Sequence, residues 1–222
     1  KKIKDSSFKL VYCPSWAENQ FTELIESKAP EIKSDTNDFN IIFAGNIGEA
    51  QDFPCIISAA QILKRHKHIK FYIIGNGRDL KNVQTIVRQK KLNDTFFTLG
   101  KYPLNRMREF YNHASVLLIT LKDRKIFSMT IPGKLQSYLA YGKPIVGALN
   151  GEGHDIIKKA RAGLCVASGD HKKLASSILE MSKMSHNKLT IFGENGKKYY
   201  MEVFERNKII NMIEKELTSL VK

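Results

Sequence analysis

From Ile41 onward, short apolar runs alternate with longer segments of helical periodicity, and this alternation constrains the fold more than any other feature of the sequence. Six runs predict strands: Ile41–Ala44, Lys70–Ile74, Thr95–Leu99, Ala114–Thr120, Ile145–Gly147 and Gly163–Val166. Strands without a polar face are typical of parallel sheets covered by helices on both sides. The sequence therefore predicts an α/β fold with a doubly wound parallel sheet.

Apolar residues at helical spacing predict the segments between and after these strands to be helices. The predicted helices are Pro54–Arg65, Arg78–Lys90, Leu104–His113, Lys134–Tyr141, His154–Ala160, His171–Ser182 and Leu189–Val221, the last with breaks near 193–196 and 205–207. A strand at Phe8–Cys13 and a short helix around Ala17–Glu26 precede a polar, turn-rich stretch. We expect a strand and linker region at 1–38, the sheet domain at 39–184, and C-terminal helices at 185–222.

The stretch from Thr130 to Gly147, TIPGKLQSYLAYGKPIVG, combines a loop, a helix and a strand. Pro132 fixes its backbone φ, and Gly133 permits close approach of another group to the backbone. A helix that begins after such a loop offers unpaired N–H groups to an anion. Lys134 adds a positive charge at that end, so this segment is the strongest candidate for an anion site.

Glycine and small polar residues follow several of the predicted strands. They are Gly45-Asn46, Gly75-Asn76-Gly77, Gly100-Lys101 and Thr120. Ligands of doubly wound sheets bind beyond the carboxyl ends of the strands, where glycine allows the backbone to approach a phosphate. We therefore place the candidate site at this edge of the sheet.

Two common nucleotide motifs are absent from the sequence. The Gly75-to-Arg78 turn is too short for the GxGxxG fingerprint. It is either a plain tight turn or a wall for a base or ribose. No GxxxxGK[ST] sequence is present, which excludes a P-loop nucleotidase.

Few residues are candidates for acid–base chemistry. Glu152 follows a predicted strand and precedes a helix, so it is either a helix first-turn acid or a partner for a sugar or ribose hydroxyl. The six histidines form no HxxxH or HExxH pattern, and the three cysteines are far apart. No metal site is expected, and the odd number of distant cysteines favours reduced thiols and a cytoplasmic location.

The net charge of +14 calls for an acidic partner. The segment from Gln61 to Lys91 contains nine basic residues and a single acidic residue, Asp79. This run is either the solvated surface of two helices, a docking surface for anionic lipid, or part of a nucleic-acid-binding module. No aromatic-plus-basic array supports the last reading. No apolar run is long enough for a membrane span, and no signal peptide is recognisable at a start that lacks Met.

Nearly the whole chain resembles the C-terminal, nucleotide-sugar-binding domain of a GT-B glycosyltransferase of the retaining family four, one Rossmann-like half of that fold. The resemblance rests on FAGNIG at 43–48, IIGNG at 73–77, FTLG at 97–100 and the stretch Thr130–Pro144. The pattern Thr-x-Pro-x-Lys-x-Gln-x-Tyr-x-Ala-x-Gly-Lys-Pro is most similar to bacterial L-fucosamine (N-acetylfucosamine) transferase-like enzymes.

The resemblance implies a donor-binding site, whose residues divide by role. Gly45 and Asn46 would approach the diphosphate, while Gly75, Gly77, Arg78 and Gly100 would line the nucleobase and ribose side. Thr130, Pro132, Gly133 and Lys134 would surround diphosphate or sugar oxygens, with Lys134 stabilising the departing diphosphate, and Glu152 would reach a sugar hydroxyl.

Two positions depart from the family pattern. Ser137 stands where many members have a ribose-binding Glu, and Gln51 stands near a position that is often basic and contacts the diphosphate. We expect Gln136 to take the ribose contact and Lys134 to supply the charge.

The resemblance also implies the reaction. We expect a UDP-linked donor, an N-acetylated deoxyhexosamine as the sugar, retention of configuration, and a polysaccharide or lipid-linked acceptor. No metal or other cofactor is expected. The chain has room for only the donor half, so it should need an N-terminal acceptor domain and be inactive alone. We expect a cytoplasmic protein, peripheral on the inner face of the membrane. A nucleic-acid-binding module and a GT-B-type epimerase are the alternatives.

Overall fold

A computed structural model of the protein describes residues 11–23, 26–33 and 35–220. Within these residues, one sheet of six strands runs through the molecule: β1 Phe39–Ala44, β2 Ile69–Ile74, β3 Phe96–Gly100, β4 Val116–Thr120, β5 Ile145–Ala148 and β6 Gly163–Val166. All neighbouring strands are parallel, in the order β3-β2-β1-β4-β5-β6. The prediction of a Rossmann-like, doubly wound sheet is confirmed.

The helices that the structure describes connect and follow these strands. They are α1 Phe53–Ile62, α2 Leu80–Gln89, α3 Met107–Asn112, α4 Lys125–Ser128, α5 Gly133–Tyr141, α6 Glu152–Lys159, α7 His171–Ser182, α8 His186–Val203 and α9 Arg206–Leu220. Helices α1, α2 and α7 pack on one face of the sheet, and α3, α5, α6 and α8 pack on the other. Alternate residues of each strand enter the two cores, which explains why the strands carry no polar face.

The start of the chain differs from the prediction. The first residues of the predicted strand Phe8–Cys13 lie outside the described residues, and Val11–Cys13 belong to no strand. The predicted helix around Ala17–Glu26 is reduced to one 3₁₀ turn, Asn19–Thr22, and residues 24–25 are outside the described part. Phe21 and Ala17 of this segment are nevertheless buried, so its apolar residues anchor an irregular chain to the core.

Helix α5, the helix of the candidate anion site, is fixed between the sheet and α8. Leu135 and Leu139 are buried, as their spacing predicts, and the hydroxyl of Tyr138 accepts a hydrogen bond from the N–H of Ala44 at 3.1 Å. Gly142 ends the helix with φ 77° and ψ 34°, the left-handed conformation that glycine adopts without strain. The helix therefore starts at the carboxyl edge of the sheet and ends at the amino edge.

The predicted break near 193–196 is wrong, because α8 continues unbroken through Gly193 and Gly196. A Cβ at Gly193 would lie 2.1 Å from the carbonyl oxygen of Gly142, and a Cβ at Gly196 would lie 3.2 Å from Leu139 Cδ2. These glycines allow α8 to pack closely against α5. The second predicted break is confirmed, since α8 ends at Val203 and α9 begins at Arg206.

Candidate functional site

The loops after β1, β2 and β3 surround a cleft of about 560 Å³ at the carboxyl edge of the sheet. One wall is built from glycine and asparagine: Gly45, Asn46, Gly75, Asn76 and Gly77. The opposite wall carries larger side chains: Lys101, Tyr102, Pro103, Leu104 and Met107. The cleft lies at the edge where doubly wound sheets bind ligands.

The glycines of the first wall hold two loops together. Gly45 and Ile47 donate backbone hydrogen bonds to Ile74 (2.9 Å) and Asn76 (2.8 Å), respectively. A Cβ at Gly75 would lie 1.8 Å from the carbonyl oxygen of Gly45, and a Cβ at Gly77 would lie 2.1 Å from that of Ile47. Glycine at 75 and 77 is therefore required by the contact between the two loops, whatever binds in the cleft.

Lys134 lies behind this wall, in the first turn of α5. Its Nζ is 3.7 Å from the centre of the Phe43 ring, and it would lie 3.0 Å from a Cβ at Gly45. The Nζ is buried and has no hydrogen-bond partner in the part of the chain that the structure describes. Burial lowers the pKa of Lys134 from 10.5 to about 7. An unpaired cation beside the cleft favours any anion that reaches it.

The start of α5 has no side-chain cap among the described residues. Pro132 occupies the N-cap position, and its side chain has no atom that could accept a hydrogen bond from the first turn. The first N–H groups of the helix, the positive end of its dipole and the Lys134 amine thus share one location.

Gln136 and Ser137 face different surroundings. Gln136 is only 1% exposed, and its amide contacts the hydroxyl of Ser15 at 3.1 Å. With its oxygen towards Ser15, its nitrogen donates to the carbonyl oxygens of Pro132 (2.9 Å) and Gly133 (3.1 Å). Gln136 therefore joins the start of α5 to the 11–18 segment, and Ser137 is half-buried one residue further on. The ribose contact of Gln136 remains a prediction.

The remaining predicted residues do not line the cleft. Gly100 ends β3 and accepts a hydrogen bond from the N–H of Gly75 at 2.7 Å. The backbone oxygen of Gln51 accepts a hydrogen bond from the hydroxyl of Thr120, whereas Arg78 is exposed. Thr130 donates to the carbonyl oxygen of Ile126 at 2.7 Å.

Glu152 is exposed and occupies the first turn of α6. The pKa of Tyr12 is raised, first by burial and then by the charge of Glu152. Tyr12 therefore lies within electrostatic range of Glu152.

Sequence reasoning missed the larger side chains of the cleft. Tyr102, Pro103, Leu104 and Met107 follow Gly100, and nothing in their own sequence marks them as ligand-facing. The usable signal is their position directly after a predicted strand end that carries glycine. No group of three or more metal-ligating side chains lies together in residues 11–23, 26–33 and 35–220.

Comparison with known proteins identifies the family of the chain. The family described as glycosyl transferases group 1 matches residues 25–199. The chain belongs to this family. Its fold is also that of solved GT-B glycosyltransferases. Over 96% of its length it superimposes on 40% of the pneumococcal O-GlcNAc transferase GtfA, solved with UDP and GlcNAc, with a TM-score of 0.74 and 17% identity.

Two further comparisons give the share of each protein that this group 1 chain covers. It is 24% identical over 162 residues to the putative colanic acid biosynthesis glycosyltransferase WcaL of Salmonella typhimurium, covering 71% of the chain and 39% of WcaL. Its structural match to the C-terminal domain of LpcC from Francisella tularensis covers 84% of this chain and 97% of that domain, with a TM-score of 0.67 and 18% identity. The chain thus spans less than half the length of the curated relatives it matches.

Two features remain from the sequence: the three cysteines and the possibility of a membrane-spanning helix. Cys13, Cys55 and Cys165 are free thiols, and burial raises the pKa of Cys55 and Cys165 to about 12. In the described part of the chain, no helix is long and apolar enough to cross a membrane.

Proposed function

We propose that this chain binds a nucleotide-diphosphate sugar and forms the donor half of a retaining glycosyltransferase of polysaccharide assembly. The observation that supports this most directly is the buried, unpaired Nζ of Lys134, at the start of α5 and behind Gly45. A diphosphate at the mouth of the cleft would receive N–H groups, a helix dipole and one ammonium from this corner. The group 1 family and the UDP complexes of structural neighbours support UDP as the carrier.

The finer assignments rest on the resemblance described above. They are an N-acetylated deoxyhexosamine as the sugar, a lipid-linked glycan or polysaccharide as the acceptor, retention of configuration, and independence from metals. We also propose that an N-terminal acceptor domain completes the enzyme, so that this chain binds donor and transfers no sugar alone. The proportion of WcaL that the chain covers supports a partner domain of similar size.

Calorimetric titration of the chain with UDP, GDP and ADP tests the donor assignment. We expect selective binding of UDP, and at least a tenfold loss of affinity in Lys134→Met, because one charge-assisted contact to a phosphate is lost. Lys143→Met is the matched control. Lys143 follows the other end of α5, and its amine already donates to the carbonyl oxygens of Asn112 (3.3 Å) and Ala114 (3.0 Å). Equal UDP affinity in Lys134→Met and wild type would contradict the role of Lys134.

The basic residues between Gln61 and Lys91 separate into two locations. Arg78 and Lys81 follow β2 on the cleft side, whereas most of the others gather at the opposite, amino edge of β2 and β3. Hydrogen bonds connect that second group: Lys64 to Lys90 O (3.0 Å), Lys70 to Asp94 O (3.2 Å) and Lys67 to the Asp94 carboxylate (3.2 Å). We call Lys64, Arg65, Lys67, Lys70, Lys90 and Lys91 the basic cluster. It is one strand length from the cleft and cannot contact the same ligand.

We propose that the basic cluster docks the protein on the anionic inner face of the membrane, where a lipid-linked acceptor resides. Each basic residue near such a surface contributes up to about 1 kcal/mol. Sedimentation tests this. The wild type and the double variant Arg65→Gln, Lys91→Gln are each mixed with vesicles containing 30% or no phosphatidylserine. Equal sedimentation with both vesicle types would contradict the proposal. Binding of duplex DNA with a steep salt dependence would instead favour the nucleic-acid alternative.

A further inference from the structure

The side chain of Arg106 holds two carboxylates at the edge of the cleft. Arg106 is the last residue of the 3₁₀ turn Leu104–Arg106 and stands between the cleft residues Leu104 and Met107. Its guanidinium donates to both oxygens of Glu31, at 2.7 and 3.0 Å, and twice to Glu109 Oε2, at 2.9 and 2.6 Å. These bonds lower the pKa of Glu31. The fork geometry fixes the plane of the guanidinium, which a single lysine charge would not do.

The fixed guanidinium lies against two aromatic rings. Its Cζ is 5.2 Å from the centre of the Tyr102 ring and 5.5 Å from that of Phe110. The two rings are themselves 4.7 Å apart, centre to centre. Phe110 is fully buried in the core, so Arg106 and Phe110 together hold Tyr102 in one orientation at the cleft.

The 26–33 segment has further attachments besides this arrangement. Other bonds already hold that segment: the N–H of Ala29 donates to Glu109 O at 3.4 Å, His113 contacts Ala29 O at 2.9 Å, and Tyr72 donates to Lys33 O at 2.9 Å. On the cleft side, the side chain next to the double carboxylate clamp is Tyr102.

We infer that Arg106, clamped by Glu31 and Glu109, is a positioning residue that fixes Tyr102 as the wall for the nucleobase of the bound nucleotide. This inference rests on the proposed donor-binding function. The cleft offers one polar, glycine-rich wall that continues towards Lys134 and one wall with an aromatic ring. The diphosphate fits the first and the flat base fits the second, because base–aromatic stacking tolerates any base but needs a fixed ring.

The test compares UDP with inorganic pyrophosphate, which has no base. We expect Arg106→Lys and Glu31→Gln to weaken UDP binding about tenfold, because the bidentate fork to Glu31 is lost, and to change pyrophosphate binding less than twofold. Tyr102→Ala should have the same selective effect, because the ring itself is lost. Asp94→Asn removes an exposed ion pair at the opposite edge and serves as the control.

The outcomes separate this inference from the function it rests on. If the wild-type chain binds neither UDP nor pyrophosphate, the proposed function and this inference both fail. If the wild type binds UDP and all variants bind it within twofold, the positioning role is refuted while the proposed function stands. Equal losses for UDP and pyrophosphate would also refute the positioning role, since they indicate general loosening of the loops.

Discussion

Binding of UDP should be accompanied by uptake of a proton by Lys134. In the structure its Nζ lies between the Phe43 ring and Gly45, and burial lowers its pKa to about 7. A diphosphate anion within contact distance favours the charged amine and should return the pKa to its ordinary 10.5 or above. A Lys134 amine that is neutral in the free chain must therefore gain one proton when UDP binds.

The size of the effect follows from the two pKa values. At pH 8 about one-tenth of the free chains carry a proton on Lys134 and nearly all complexes do, so about 0.9 proton is taken up per UDP. At pH 6 the uptake by this group falls to about 0.1. Between pH 7 and 9 the affinity should fall about 50-fold, approaching tenfold per pH unit, or about 1.4 kcal/mol per unit.

Titration calorimetry in two buffers with different ionisation enthalpies, Tris and HEPES, measures this uptake directly. Work at pH 8 avoids the second ionisation of the phosphate, which lies near pH 6. The Lys134→Met chain should take up no proton, whereas Lys143→Met should behave as the wild type, because its amine bonds at the amino edge. An uptake below about 0.2 proton in the wild type, with a Kd independent of pH, would refute this account of Lys134.

Three further predictions concern stability. Gly193→Ala should destabilise the chain by about 2 kcal/mol or more in urea unfolding, since its Cβ would lie 2.1 Å from the Gly142 carbonyl oxygen, while Gly196→Ala, whose nearest neighbours would be 3.2 Å away, should cost less. Ser185→Ala removes the N-cap acceptor for Lys188 N–H and should cost about 1 kcal/mol, seen as a lower Tm. Lys134→Met should be more stable than wild type at pH 7 and below by up to a few kcal/mol. That gain should shrink as the pH rises from 7 to 10.5, because only the unfolded chain binds the proton in this range; a gain that grows with pH would contradict it.

The elements of the fold could be predicted because they depend on short windows of sequence. The bounds of α7 and β6 agree with the periodicity to the residue, and Gly142 ends α5 as its position after the last apolar residue indicates. The break predicted in α8 failed for a tertiary reason. Glycine weakens an isolated helix, but contact with the Gly142 backbone requires it at position 193.

The candidate site could be predicted only in part. Gly45, Asn46, Gly75 and Gly77 line the cleft. They could be predicted because glycine directly after a strand is a local sequence signal. Tyr102 could not be identified, since its role depends on partners that the local sequence does not reveal. Glu31 and Arg106 are 75 residues apart in the chain, and no periodicity links them.

The sequence by itself determined the alternation of strands and helices, the parallel sheet with two covered faces, and the loop–helix that carries Lys134. These are properties of side-chain period and turn chemistry, which act over a few residues. Only the tertiary structure decided which strand ends meet, that the Lys134 amine is buried and unpaired, and that the basic cluster lies at the edge opposite the cleft. Those facts follow from the strand order β3-β2-β1-β4-β5-β6, which brings residues from distant parts of the chain into contact.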